Sequence, residues 1–217
     1  MPTKGPPRAP KPLSKTTITS SSSSKLSKTP SNWPPEIIYL TRPRLSRSLP
    51  AEALTHLSLS PTSPPSIPST LVRIRKITDL AHPAFGQLGL FAAKTLPARS
   101  FILDYLGYVH DDNDLDESSD YDLCLDKELH VGVDARSMGN EGRMVNDYRG
   151  VPGLVRANVV FETRRIGGDN EGEVRMGLWV GSRDVKKGVE LCVSYGKGFW
   201  KERVGEVEDL SLNYSKR

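Results

Sequence analysis

From position 71 onward, the sequence consists of short apolar or alternating segments that are separated by glycines. Residues 71–77 alternate apolar and basic side chains with a period of two, which is typical of a half-buried strand. Gly150, Gly167 and Gly188 stand between such segments and supply turns. The alternation of strands and long helices that builds a doubly wound parallel sheet is not visible. The sequence therefore predicts a mainly β fold with small sheets.

Secondary structure can be assigned to ten segments. The predicted strands are residues 71–77, 89–93, 101–109, 121–125, 129–133, 157–162, 174–181 and 189–193. A short helix is predicted around residues 137–145, and a polar helix from Phe199 to about Leu210.

Proline and serine are concentrated in the first third of the chain. Residues 1–69 contain 14 of the 17 prolines and 15 serines. Such a composition buries too little apolar surface to offset the entropy cost of ordering the chain. We expect a disordered basic tail over residues 1–69, a folded domain over 70–200, and a C-terminal helix or tail over 201–217. Residues 37–40 form an apolar patch with Trp33 ahead of it. Whether this patch docks on the folded domain stays open.

Positive charge is also concentrated near the N-terminus. Residues 1–48 carry nine Lys or Arg and a single acid, a net charge of +8. Because the whole chain carries +4, the remainder carries −4. A basic, serine-rich tail of this kind suits a nuclear import signal, contact with DNA or nucleosomes, or an organellar transit peptide, and the sequence leaves these three open.

Several classes of protein are disfavoured. No apolar run approaches the roughly 20 residues of a membrane-spanning helix, and the N-terminus lacks the apolar core of a secretory signal. Cys124 and Cys192 lie far apart, so neither a disulfide framework nor a four-cysteine zinc site is expected. We expect a soluble intracellular protein with no membrane partner.

Five groups of short motifs follow one another along the predicted domain. They are Gly-Leu-Phe-Ala-Ala-Lys at 89–94; Phe-Ile-Leu-Asp-Tyr-Leu-Gly at 101–107; Asp134-Ala135, Gly139-Asn140 and Arg-Met-Val-Asn at 143–146; Asn158; and Glu-Leu-Cys-Val-Ser-Tyr-Gly at 190–196. In this order and at these separations they resemble the SET domain of protein lysine methyltransferases. The resemblance covers roughly residues 71–200.

This resemblance implies a fold, a reaction and a setting. The fold has several small β-sheets, with a C-terminal segment threaded under the loop that carries Asn146, so that Asn146 meets Tyr195. The reaction moves the methyl group of S-adenosyl-L-methionine to the side-chain nitrogen of a lysine in a protein substrate. The expected substrate is a histone tail. The setting is nuclear chromatin, with a cytoplasmic or organellar location as the alternative.

The resemblance also implies roles for individual residues. Tyr195 matches the catalytic tyrosine, and Tyr105 the second tyrosine at the substrate channel. Phe161, Val193 and Asn158 fall at the channel. The residues implied to hold the cofactor are Gln87, Leu88, Gly89, Arg143, Asn146, Tyr195 and Trp200. For the aromatic residues, a purely structural role in filling a core or packing the last helix stays open. For Asn158, a structural role in capping a turn stays open. No metal is implied, because no cysteine-rich module follows Tyr195.

Three positions depart from the family pattern. Asp147 follows Asn146 where the family has histidine, Ala157 precedes Asn158 where it has proline, and Gly86 lies one position further from Gly89 than usual. The first departure makes a catalytically inactive SET-fold chromatin-binding module the alternative function. A third hypothesis is a nucleic-acid binder that acts mainly through its basic tail.

Two further features concern the substrate. Nine acids and one base, Lys127, lie between residues 111 and 128, and this stretch is expected either to attract a basic peptide or to form a solvated mobile loop. In the family, a tyrosine hydroxyl near the channel holds a water that blocks a second methylation. Val193 and Phe161 bring no hydroxyl, so products beyond monomethyl-lysine are predicted.

Overall fold

The computed structural model describes residues 29–167 and 172–196, in which short strands dominate. The strands of these residues are β1 (Ile38–Tyr39), β2 (Arg44–Leu45), β3 (Val72–Lys76), β4 (Leu88–Ala92), β5 (Phe101–Tyr105), β6 (Tyr108–His110), β7 (Asp122–Asp126), β8 (Val131–Asp134), β9 (Met138–Gly139), β10 (Asn146–Asp147), β11 (Val159–Ile166), β12 (Glu173–Val180) and β13 (Cys192–Val193). Helix α1 spans Ala51–His56, and 3₁₀ helices span Asp112–Asp114 and Glu141–Met144. None of the helices in the described ranges is long and apolar enough to cross a membrane.

The strands are arranged in small sheets. One sheet has the order β2-β6-β8-β7, another has the order β11-β12-β5, and three pairs are β3-β4, β1-β9 and β10-β13. The pairs β1-β9, β2-β6 and β10-β13 are parallel. The predicted mainly β class with several small sheets is confirmed.

Two clusters of buried apolar side chains hold these sheets together. The first joins the β3-β4 hairpin to β5, β12 and the C-terminal segment, and includes Ile74, Leu90, Leu178 and Leu191. The second joins α1 to the four-stranded sheet and to β12, and includes Ala53, Leu57, Val109, Val133 and Met176. Burying a side chain of this size contributes roughly 1.5–3 kcal/mol, so both clusters stabilise the fold substantially. The ring of Phe161, on β11, packs against both.

Each predicted strand overlaps a strand of the structure, although 189–193 is reduced to Cys192–Val193. The segment 101–109 is divided into β5 and β6, and Gly107 lies in the break, where an added Cβ would collide with the backbone carbonyl of Asp134. The helix predicted around 137–145 is replaced by β9 and a 3₁₀ helix, whose N-cap Asn140 accepts a hydrogen bond from the Gly142 N–H at 3.3 Å. The helix predicted from Phe199 lies outside the described residues.

The expectation of a disordered tail over residues 1–69 is wrong for residues 29–69. In this segment β1 pairs with β9 and β2 pairs with β6. Helix α1 buries Ala53, and the Leu57 side chain that follows it is 2% exposed. The folded unit therefore includes residues from 29 onward, not from 70. Residues 1–28 and 201–217 lie outside the described residues.

Composition does not reveal this order, because it counts residues without their partners. Several serines of this segment bond to acids of the domain: the Ser48 hydroxyl donates to Asp111 at 2.7 Å, and the Ser66 hydroxyl to Asp104 at 3.2 Å. The apolar patch docks as well, since Trp33 packs on the first core cluster. A polar segment can be ordered when its hydroxyls satisfy buried carboxylates.

A single substitution tests whether this segment belongs to the folded unit. Leu57→Ala is expected to lower the free energy of unfolding by roughly 2–5 kcal/mol, because it opens a cavity in the second core cluster. Ile67→Ala is the matched control, since Ile67 lies in the same segment but is 86% exposed. The control should change stability by no more than about 0.5 kcal/mol. Equal, small effects in urea denaturation would contradict the packing of residues 29–69.

The C-terminal segment lies between two other parts of the chain. On one side β13 pairs with β10, matching Asn146 with Cys192 and Asp147 with Val193. On the other side the Asn158 side chain donates to the Glu190 carbonyl at 2.7 Å and accepts from the Cys192 N–H at 2.8 Å. The expected meeting of the C-terminal segment with the loop of Asn146 is confirmed.

Asp147, which departs from the family pattern, stabilises the crossing of the C-terminal segment over β10. Its carboxylate accepts hydrogen bonds from the backbone N–H of Tyr195 at 2.7 Å and from the Arg149 guanidinium at 2.7 Å. A third bond comes from the Arg149 N–H at 2.8 Å. Since Asp147 is buried, these bonds are sheltered from water.

Removing this carboxylate should weaken the fold. Asp147→Ala is expected to lower the free energy of unfolding by roughly 2–4 kcal/mol, because hydrogen bonds to a buried charge are lost and the Tyr195 N–H is left without its acceptor. Asp116→Ala is the control, because Asp116 also pairs with an arginine, Arg136, but both side chains are 47% exposed. Its effect should be much smaller. If urea denaturation shows equal losses of unfolding free energy in the two variants, the hydrogen bonds of Asp147 do not stabilise the crossing.

Candidate active site

Two cavities adjoin each other beside the crossing of β10 and β13. The larger cavity, of about 420 Å³, is lined among others by His82, Gln87, Leu88, Met144, Asn146, Asp147 and Arg149. The smaller cavity, of about 140 Å³, is lined among others by Tyr105, Leu123, Val145, Phe161 and Val193. Asp120, Tyr121, Arg143 and Tyr195 line both. These four residues form the junction at which the contents of the two cavities would meet.

Arg143 and Tyr121 brace the junction. The Arg143 guanidinium lies 4.3 Å from the centre of the Tyr121 ring, and its Nε donates to the Ala135 carbonyl at 2.8 Å. A cation over an aromatic face is an attractive arrangement, so each side chain restrains the other. Arg143 therefore contributes to both cavity walls.

Tyr195 carries a hydroxyl that stays protonated. The hydroxyl donates to the backbone carbonyl of Val145 at 2.9 Å. Burial raises the pKa of Tyr195 above its ordinary value, and the neighbouring Tyr121 and Asp147 raise it further. A neutral phenol that already donates its proton offers its oxygen lone pairs to an incoming N–H group.

Tyr105 forms the wall of the smaller cavity with Phe161. Their ring centres are 5.2 Å apart in an edge-to-face arrangement. Burial holds the pKa of Tyr105 well above its ordinary value, and its hydroxyl donates to the Tyr121 carbonyl at 2.6 Å. Tyr105 thus fastens the backbone at the junction while its ring lines the cavity.

The structure brings together most of the residues predicted for the channel. Tyr105, Phe161, Val193 and Tyr195 all line the smaller cavity. Asn158 is not among its lining residues, because both ends of its amide are engaged in clamping the segment of Glu190 and Cys192. In the structure its side chain holds the C-terminal segment, and a contact of Asn158 with the substrate stays a prediction.

The residues predicted for the cofactor divide in the same way. Gln87, Leu88, Arg143, Asn146 and Tyr195 line the larger cavity. Gly89 does not line it but faces Glu190 from β4, where an added Cβ would come within 2.6 Å of Oε1 of that carboxylate. Gly89 therefore gives the Glu190 carboxylate its room. Trp200 lies outside the described residues.

Two acids of the stretch 111–128 reach the cavities. Asp120 lies at the junction, and Asp122 lines the smaller cavity. Other acids of the stretch are engaged elsewhere: Asp111 accepts from Ser48, and Asp116 pairs with Arg136 at 2.7 Å. A 3₁₀ helix spans Asp112–Asp114, and residues 112–118 are exposed to solvent, as expected for a solvated segment; the mobility of this segment stays a prediction.

A buried histidine stands behind Asp122. Its two ring nitrogens lie 3.2 Å from Oδ1 of Asp122 and 2.9 Å from the Asp111 carbonyl. Burial lowers the pKa of His110, but the hydrogen bonds to Asp111 and Asp122 outweigh burial, and the pKa is raised. His110 thus holds its proton more tightly than a free imidazole does, and its hydrogen bond restrains the Asp122 side chain.

Sequence reasoning missed three residues that line or support the cavities. Asp120 and Tyr121 lie at the junction, and His82 lines the larger cavity from the loop before β4. Asp120 was counted only as one charge of an acidic stretch. His82 stands upstream of the recognised motifs, and no pattern in the sequence signals that it folds back onto Glu190.

Two solved structures with partial similarity to the chain are a polycomb complex and KRYPTONITE. The crystal structure of the Chaetomium thermophilum polycomb repressive complex 2 is 24% identical to the chain, covers 59% of it and has a TM-score of 0.46. The structure of KRYPTONITE with mCHH DNA, an H3(1-15) peptide and SAH is 19% identical, covers 58% and has a TM-score of 0.43. The matched part spans 16% and 23% of those two longer chains.

The family follows from a match of the sequence itself. The SET domain model matches residues 87–196, about half of the chain, from Gln87 in the wall of the larger cavity to the glycine that follows Tyr195. This range contains β4 to β13 and every residue of the junction. The chain therefore belongs to the SET domain family.

Proposed function

We propose that the protein is an S-adenosyl-L-methionine-dependent protein lysine N-methyltransferase. The observation that carries the proposal is the junction at Tyr195, where a larger polar cavity and a smaller aromatic cavity meet. A donor in one cavity and an acceptor side chain in the other would face each other across Tyr195, Tyr121 and Arg143. Such prearrangement is the main requirement for a direct group transfer.

The larger cavity suits the cofactor in size and chemistry. Its volume of about 420 Å³ falls within the range of small-molecule sites. Gln87, Leu88, Arg143, Asn146 and Tyr195 would hold the group, with Trp200 as a further proposed contact from outside the described residues. When bound, S-adenosyl-L-methionine supplies a methyl group that its sulfonium makes electrophilic.

The smaller cavity suits the side chain of a lysine. Tyr105, Phe161, Val145 and Val193 provide aromatic and aliphatic walls for an unbranched methylene stem. At about 140 Å³ it is one third of the size of the larger cavity, which favours a slender side chain over a bulky one.

The residues of the channel would prepare the amine in three ways. The Tyr195 oxygen accepts a hydrogen bond from the amine and so directs its lone pair toward the junction. Apolar walls disfavour the charged ammonium and lower its pKa, which helps because deprotonating a free lysine at pH 7 costs about 4.6 kcal/mol. Tyr105 fixes the Tyr121 backbone, which limits the entry of water at the junction.

A basic peptide, such as a histone tail, is the proposed substrate. Asp120 and Asp122 bring negative charge to the cavities, and the acidic stretch that carries them extends over residues 111–128. Complementary charge raises the rate and selectivity of association. We also propose a nuclear location and salt-dependent contact of the basic N-terminal residues with DNA or nucleosomes.

A catalytically inactive SET-fold module remains the second candidate function. Asp147 in place of the family histidine is the observation that favours it. Against it, the Asp147 carboxylate accepts a hydrogen bond from the Tyr195 backbone N–H. The residue that differs from the family pattern therefore supports the junction. Peptide binding without methyl transfer would identify the inactive module.

Methyl transfer to recombinant histones, followed with radiolabelled S-adenosyl-L-methionine, tests the proposal at Tyr195. Tyr195→Phe should lower the rate roughly a hundredfold, because the hydroxyl orients the amine mainly in the transition state. Cofactor affinity, measured by calorimetry, should change little. Tyr148→Phe is the control, since Tyr148 lies beside β10 but does not line the two cavities. Near-normal turnover of Tyr195→Phe would remove this residue from the mechanism.

The number of methyl groups added gives a test of the channel. The parent protein is expected to form dimethyl- or trimethyl-lysine, because neither Phe161 nor Val193 offers a hydroxyl to anchor a blocking water. Phe161→Tyr should shift the product toward monomethyl-lysine, whereas Phe91→Tyr, on β4 away from the smaller cavity, should not. Mass spectrometry of fully converted peptide measures the ratio. Only monomethyl-lysine from the parent protein at long times would contradict the expectation.

A further inference from the structure

A buried hydrogen bond between a histidine and a carboxylate lies directly behind Asn146 in the wall of the larger cavity. Nε2 of His82 is 2.9 Å from Oε2 of Glu190, and both side chains are less than 10% exposed. The other oxygen of the same carboxylate, Oε1, accepts a hydrogen bond from Asn146 Nδ2 at 2.9 Å. The three side chains thus form a relay from His82 through Glu190 to Asn146.

The direction of each hydrogen bond in this relay is determined by its neighbours. The ring nitrogen Nδ1 of His82 accepts a bond from the Ala84 backbone N–H at 3.0 Å, so it carries no proton. The proton of a neutral ring is then on Nε2, which donates to Glu190. His82 is therefore held at both ring nitrogens, and its loop is held with it.

The space for the carboxylate depends on Gly89. An added Cβ at this position would lie 2.6 Å from Oε1 of Glu190 and 3.2 Å from its carboxyl carbon. A strand glycine that leaves such room often marks the close approach of another group. Gly89 thus allows Glu190 to reach both His82 and Asn146.

The relay fixes which end of the Asn146 amide enters the cavity. Nδ2 donates both to Glu190 and to the Leu88 carbonyl, the latter at 3.3 Å. Only the nitrogen end of an amide can satisfy these acceptors, so the amide oxygen lies on the opposite side. An oxygen held in this way is an acceptor for a cationic donor such as an ammonium group.

We propose that His82, acting through Glu190, is a positioning residue that sets the Asn146 amide for the cofactor. This inference rests on the function proposed above. His82 lies outside residues 87–196, which match the family, and it brings an imidazole to the cavity in a chain that has Asp147 where the family has histidine. His82 thus enters the relay from the loop before β4, whereas Glu190 and Asn146 lie within the matched range.

Two substitutions of the same residue separate positioning from packing. His82→Leu fills similar volume but donates no hydrogen bond, whereas His82→Gln keeps a donor for Glu190. S-adenosyl-L-methionine affinity, measured by calorimetry, should weaken about tenfold in His82→Leu, the equivalent of one hydrogen bond to a charged group, and should be largely restored in His82→Gln. His130→Gln is the control, because His130 pairs with Asp112 at a site where both side chains are more than 60% exposed.

A double substitution tests whether His82 acts through Glu190. If it does, the variant with both His82→Leu and Glu190→Gln should bind the cofactor no more weakly than Glu190→Gln alone, because coupled residues are not additive. In the protein without cofactor, the side-chain amide hydrogens of Asn146 should exchange slowly in the parent and in His82→Gln, and faster in His82→Leu. This NMR measurement does not depend on enzyme activity. It can therefore be made on His82→Leu even if that variant is less stable than the parent.

The outcomes distinguish the relay from the proposed function. Equal cofactor affinity and equal Asn146 exchange in the parent and His82→Leu would overturn the positioning role while leaving the methyltransferase proposal intact. Equal weakening in His82→Leu and His82→Gln would also overturn it, since a donor at this position would then be irrelevant. No binding of S-adenosyl-L-methionine by the parent protein would overturn the proposed function together with the cofactor role of the relay.

Discussion

The crossing of the C-terminal segment over β10 determines whether either cavity exists. Only two residue pairs connect β10 with β13, and a ladder of this length has little stability of its own. Closing the chain between positions that lie 48 residues apart also costs entropy. The side chains of Asp147 and Asn158 therefore provide the additional bonds, one from each side of the segment.

The replacement of the family histidine by Asp147 is compatible with this geometry. A carboxylate has two oxygens and can accept several hydrogen bonds at once, which suits simultaneous contact with the Tyr195 N–H and the Arg149 guanidinium. A neutral imidazole has one acceptor nitrogen and could not satisfy both groups. The substitution thus changes the way in which the crossing is fastened while keeping the Tyr195 hydroxyl next to the Val145 carbonyl.

The β class, most strands and several of the cavity-lining residues could be predicted from the sequence, because they depend on local patterns or on short motifs. The period of two over residues 71–77 corresponds to β3, in which Val72 and Ile74 are buried and Arg73 is exposed. The ordered segment 29–69 could not be predicted, since it depends on partners such as Asp111 and Asp104 that are distant in the sequence. The same holds for His82, whose partner Glu190 lies 108 positions away.

The N-terminal segment supports the site through a buried carboxylate. Glu141 opens the 3₁₀ helix that leads to Arg143, and it accepts hydrogen bonds from the Tyr39 hydroxyl and from the Ser69 N–H, both at 3.1 Å. Burial and the nearby charge of Glu141 raise the pKa of Tyr39, which keeps this phenol a donor. Without residues 39 and 69 the carboxylate would lose both bonds in a buried position, and an unpaired buried charge is strongly unfavourable. The N-terminal segment therefore stabilises the 3₁₀ helix that carries Arg143, whose guanidinium contacts the Tyr121 ring at the junction.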